Sequence, residues 1–107
     1  MEEREFENKA ADAFKRVIDL FEAIDPDDAD VEPSGDVIRI DYRGGGRVVL
    51  NTQRPTRQLW LAGGQRAWHF NFDAQRNQWM DDKGRGDELF ATLSALTKAA
   101  IGRELTG

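Results

Sequence analysis

Residues 36–72 read DVIRIDYRGGGRVVLNTQRPTRQLWLAGGQRAWHFNF, and through them apolar and polar residues alternate in short runs broken by glycine and proline. Alternation with a period of two is the mark of strands with one buried face, and breaks this short join antiparallel neighbours. The stretch predicts strands at Asp36 to Tyr42, Arg47 to Asn51, Arg57 to Ala62 and Ala67 to Phe72, with turns at Gly44-Gly45-Gly46 and Gly63-Gly64. Ile38, Ile40 and Tyr42 share one side of their strand, as do Leu59 and Leu61, and Trp68, Phe70 and Phe72. These form the candidate core face. Asn51, Gln58, Trp60, His69 and Asn71 then project from the other face, where a large aromatic such as Trp60 looks like an interface anchor.

Outward from this stretch, Pro33-Ser34-Gly35 separates off a strand predicted from Asp28 to Glu32, and Asp73 to Asn77 leads into a short one from Gln78 to Met80. Phe6, Ala10, Ala13, Phe14, Val17, Phe21 and Ile24 recur at helical spacing, which predicts an amphipathic helix over about residues 3–24, ended by Pro26. A second helix is predicted from Asp87, read as its N-cap, to Ala100, with Leu89, Phe90, Leu93 and Leu96 on one side and Gly102 beyond its end. Two one-sided helices and one one-sided sheet imply an α+β fold: a two-layer sandwich with both helices on one face of an antiparallel five- to six-stranded sheet, in a single domain over residues 1–107. Trp68 and Trp79 suit the core, and the triple glycine lacks the helix and Lys-Ser/Thr pair of a phosphate loop.

The 107 residues carry a net charge of -5, with 20 acids, 15 bases, one histidine and no cysteine. Lack of cysteine excludes disulfides, thiolate metal sites and direct cysteine ligation of an iron–sulfur cluster, so none is held by this chain. A single histidine excludes a multi-histidine metal site, and no G-x-S-x-G motif accompanies it. The acidic balance argues against nucleic acid, and no apolar run is long enough for a membrane span or shaped as a signal peptide. Charge is also unevenly placed: residues 1–32 hold 12 of the acids and 4 of the bases, a local balance of -8 against +3 for the remainder.

Its densest part is Asp19 to Glu32, where Asp19, Glu22, Asp25, Asp27, Asp28, Asp30 and Glu32 occur without one Lys or Arg. Carboxylates within a Debye length of about 8 Å repel, so the cluster costs stability until a cation arrives. Three readings are open on residues alone: a solvated acidic face, an open site for a hard cation such as calcium, magnesium, manganese or iron, or a docking patch for a basic protein. No D-x-D-x-D-G calcium loop is present.

The order helix, acidic loop, strands, helix, joined to Asn51-x-Gln53-x-Pro55-x-x-Gln58-Leu59-Trp60-Leu61-Ala62, then Trp68-His69-Phe70, resembles the frataxin family in its short bacterial form. The opening Glu5-Phe6 and closing Leu89-Phe90 match too, so the resemblance covers nearly the whole chain. It implies a monomeric, cytoplasmic, non-enzymatic regulator of iron–sulfur cluster assembly that binds ferrous or ferric iron weakly and docks on the cysteine desulfurase and the scaffold protein. Carried over by position, the iron ridge is Asp19, Glu22, Asp25, Asp27, Asp28, Asp30 and Glu32, with Glu3 and Glu7 at its far end. The partner-binding residues are Asn51, Gln58, Trp60 and His69. Two alternatives stay open: a ferroxidase or iron-storage activity, and an iron-independent inhibitor of the desulfurase.

Overall fold

The alternating stretch folds as read, into a meander in which each strand pairs with the next. The computed structural model describes residues 1–105, so the last two positions of the expected 1–107 domain lie outside the described residues. The elements are α1 (Glu3–Phe21), β1 (Ala29–Ser34), β2 (Val37–Tyr42), β3 (Arg47–Gln53), β4 (Gln58–Gly63), β5 (Arg66–Asp73), β6 (Gln78–Asp81) and α2 (Leu89–Ile101). All six strands are antiparallel, in the order β1-β2-β3-β4-β5-β6. Both helices pack on the face carrying Ile38, Ile40, Leu50, Leu59, Leu61 and Phe70, each at most 1% exposed, against Phe6, Val17 and Phe21 of α1 and Leu89 and Leu93 of α2. Full burial of such a side chain contributes about 1.5–3 kcal/mol, and this layer is the source of the fold's stability.

Most boundaries lie within a residue or two of expectation, and the exceptions have physical causes. α1 ends at Phe21, not Ile24. Ile24 is buried all the same, because the chain turns back there, with its N–H donating to the Phe21 carbonyl at 3.0 Å. β1 runs on through Pro33, expected in a turn; Pro33 lies opposite Ile38 on an edge strand, where the missing N–H breaks no ladder on the open side. The N-cap of α2 is Glu88, whose carboxylate accepts from the N–H groups of Phe90 (2.9 Å) and Ala91 (3.0 Å). Asp87, the expected cap, instead accepts from the indole Nε1 of buried Trp68 at 3.1 Å. Phe72 is half-buried under the Lys9 ammonium, 5.1 Å from its ring centre, and not in the sealed core. Trp79 is buried as expected, edge-on to Phe6 at 6.0 Å.

Gly63 lies between the neighbouring strand and α2. A Cβ there would stand 2.7 Å from Val48 Cγ2 on β3 and 3.3 Å from Leu96 Cδ1 of α2, so a side chain would press on β3 first and on the helix second. On the far edge β6 is four residues long, and a bridge between Met80 and Glu88 lays the following loop along it. Among the described residues no helix is long and apolar enough to cross a membrane.

That loop is organised by Asp81, whose side chain is 1% exposed. Its carboxylate accepts from the N–H groups of Lys83 (2.9 Å), Asp87 (2.9 Å) and Arg85 (3.4 Å). Burial alone would push its pKa up, but these three donors and the Arg85 charge outweigh it and hold the carboxyl below its usual value. A carboxyl depressed by folding adds stability above its unfolded pKa, near 3.9, and loses it as pH falls through the folded value. Asp81→Asn is therefore expected to lower urea-unfolding stability at pH 7, with the difference from wild type shrinking at an acid pH below the folded value, where the carboxyl is neutral as the amide is. An equal difference at both pH values would refute this account.

Candidate functional site

The acidic residues gather where α1 ends and β1 begins. Asp19 and Glu22 stand at the C-terminal end of α1, whose last turn carries no basic residue. The helix macrodipole is negative there, so both carboxylates face an unfavourable field as well as one another. Asp25, Asp27 and Asp30 continue the exposed series along the connecting loop and into β1, with Asp25 Oδ1 accepting the Asp27 N–H at 2.9 Å.

The nine predicted ridge residues divide by their partners. Asp19 pairs with Lys15 at 2.9 Å, Glu7 with Arg54 at 2.7 Å, and Glu32 with Arg39. Asp28 is buried, its side chain 11% exposed and held between Arg43 at 3.1 Å and Arg103 at 3.6 Å. Glu3, Glu22, Asp25, Asp27 and Asp30 are exposed and make no ion pair among the described residues. In the sheet register Asp30 lies opposite Asp41, a like-charge pair. Asp41 is neutralised by hydrogen bonds from Arg47 (2.6 Å) and Arg39 (3.0 Å), Arg47 first among the causes that hold its carboxyl below the usual range. No three acidic or histidine side chains converge on one point among the described residues. Such a surface offers a cation one or two hard oxygen ligands at a time, and water supplies the rest.

The second group lies on the sheet face away from the helices, where alternation puts it. The register aligns Val37, Asn51, Trp60 and His69 in one row across β2 to β5. Trp60 and His69 stack with ring centres 4.1 Å apart and planes inclined by 13°. Trp60 is half-buried, with the imidazole against one face of its ring. Its indole Nε1 donates to Gln58 Oε1 at 2.9 Å, and Gln58 Nε2 donates to Asn71 Oδ1 and Asp82 Oδ2, both at 3.1 Å. Gln58 is only 9% exposed, because its amide is enclosed by these partners. Asn51 donates to the Thr52 carbonyl at 3.2 Å.

Sequence reasoning missed two members of this face. Val37 extends the row and is 36% exposed, one of two large apolar residues left open among those described. Asp82 lies in a run of Asp, Lys, Gly and Arg that reads as plain loop, and nothing local signals that it meets β4 and β5. His69 faces Asp82, with Nδ1 3.6 Å from Oδ2.

A frataxin-like domain family model matches residues 1–103. The chain is 36% identical over 103 residues to the iron–sulfur cluster assembly protein CyaY of Azotobacter vinelandii, covering 96% of this chain and 92% of that one. It is 34% identical over 109 residues to the protein of the same name from Cupriavidus necator, covering 99% and 96%. Among solved structures, frataxin from Psychromonas ingrahamii superposes with a TM-score of 0.87 at 24% identity, over 98% of this chain and 96% of that one. Trimeric yeast frataxin in a ferrous complex superposes with a TM-score of 0.73 at 27% identity, over 89% and 87%.

The partition of the acids predicts opposite effects of removing charge. Asp28→Asn loses a paired, buried carboxylate and is expected to cost about 1 kcal/mol, a fall in Tm of about 4–8 °C for a domain of this size. Glu22→Gln removes an unpaired charge from the negative end of a helix and is expected to raise Tm slightly, since such charges are worth about 0.3–1 kcal/mol. Thermal unfolding of both variants in low salt decides; a Tm that moves the same way in both refutes the partition.

Proposed function

The chain belongs to the frataxin family of iron–sulfur cluster assembly proteins, and from that premise we propose that it is a non-enzymatic, iron-binding regulator and adaptor of that assembly. Iron is its cargo, held weakly by Glu22, Asp25, Asp27 and Asp30 with Asp19, whose Lys15 partner is exposed and easily displaced. The unpaired carboxylates at the end of α1 carry the reading: a group of like charges kept at a cost in stability is expected where a cation or a basic surface will meet it. The same field steers the protein to a basic surface on the cysteine desulfurase, and the stacked Trp60 and His69 anchor it on the scaffold protein, in the cytoplasm and as a monomer. Charge sets the rate of encounter and the aromatic pair sets residence.

Neutralising Asp19, Glu22, Asp25 and Asp27 together is expected to abolish iron-induced NMR line broadening and to weaken desulfurase binding. Unchanged behaviour in both assays would sink the proposal. Pull-down with the desulfurase, run with and without a chelator, separates iron-linked docking from the iron-independent inhibitor. A ferroxidase needs several carboxylates or histidines converging on its metal, and the acids here are spread along a ridge. Anaerobic loading with ferrous iron followed by oxygen is expected to consume oxygen no faster than buffer; faster consumption would favour the enzyme.

A further inference from the structure

We propose that Asp82 is the positioning residue for Trp60, fixing the orientation of the indole through Gln58. The argument starts from what each group can donate. Gln58 uses its amide fully toward this network: Oε1 accepts from Trp60, and the two Nε2 hydrogens go to Asn71 and Asp82. An amide can be turned over, exchanging its donor and acceptor ends, and so can that of Asn71. An ionised carboxylate cannot: Asp82 only accepts. It closes one end of the network as the donor-only indole N–H closes the other, and between them they give it a direction. With Asp82 present, Gln58 Nε2 must face it and Oε1 must face β4, where it receives the Trp60 N–H. Turning Gln58 over would set its oxygen against Asp82 and its NH2 against the indole N–H.

The carboxylate is itself held in place. The Asp82 N–H donates to the His69 carbonyl at 2.8 Å, which ties the loop after β6 back to β5. His69 is also the residue on which Trp60 stacks. The ring is thus constrained at its edge by the amide and on its face by the imidazole, and both constraints return to Asp82. An aromatic anchor ordered before binding loses less freedom when a partner docks. This inference rests on the reading of Trp60 as a docking anchor, and its test keeps the two apart.

The Trp60 indole N–H signal in 15N-correlated NMR spectra, identified by its loss in Trp60→Phe, reports the ring's orientation and exchange with water. Affinity for the desulfurase bound to its scaffold protein reports docking. Asp82→Ala is expected to shift the Trp60 signal, speed its exchange and weaken binding roughly three- to tenfold, the range set by ordering one side chain. Asp82→Asn can turn its oxygen to Gln58 Nε2, which the donor-only indole N–H keeps pointed at it, and is expected to restore both. An unmoved Trp60 signal in Asp82→Ala overturns the proposal. So does a moved signal with unchanged affinity while Trp60→Ala loses binding, or failure of Asp82→Asn to restore the signal. If Trp60→Ala binds as wild type, the docking reading fails, and the link from Asp82 to Trp60 stands or falls on the indole signal alone.

Discussion

A six-stranded sheet has two faces, and two helices cover only one of them. That geometric constraint governs the rest of the molecule. The covered face takes up the strongly apolar side chains, from Ile38 to Phe70, and with them the burial that makes the domain stable. The other face must be compatible with water, yet it is broad and backed by the core. Such a surface suits side chains that have to stay in register, and the row from Val37 to His69 uses it so. The helices, obliged to present one side to the sheet, turn their remaining charge outward. At the end of α1 that charge has no basic neighbour in the last turn.

Core burial and exposed charge therefore draw on separate parts of the chain. Glu22 and Asp27 are exposed and outside the core, and removing either would relieve charge repulsion. Asp28 shows the contrast within one acidic run: its neighbours are open, while Arg43 and Arg103 close on it and make it part of the framework. Asp81 and Asp82 repeat the contrast on the other side of the sheet, the first buried and folding the loop, the second half-open and facing the aromatic pair.

Much of this was legible in the residues. Period-two alternation placed Leu59 and Leu61 inside and Trp60 outside, because the pleat leaves no third choice. Helical spacing found the buried side of α1 but not its end, since Ile24 keeps the spacing after the helix has stopped and returns to the core through a turn. Preference for Asp at N-caps pointed to Asp87, and a long-range contact with Trp68 overrode it. Counting carboxylates located the ridge, yet which of them are open depends on arginines distant in sequence, as Arg103 is from Asp28. The stack of Trp60 on His69 and the approach of Asp82 follow from strand register and loop path, neither of which a local pattern contains. Composition favoured no cargo; the family string from Asn51 to Ala62 singled out iron–sulfur cluster assembly.

The two edges of the sheet limit how anything can bind to it. β1 offers an edge bearing Asp30 and Glu32 and interrupted by Pro33, while β6 is short and has the Glu88 bridge beside it. An incoming peptide seeking to add a seventh strand meets a missing donor on one side and, on the other, a four-residue strand already bridged at Met80. Recognition is thereby confined to side chains on the faces and ridges, where every contact is encoded residue by residue. A partner's specificity can then be retuned by single substitutions without disturbing the backbone that carries them.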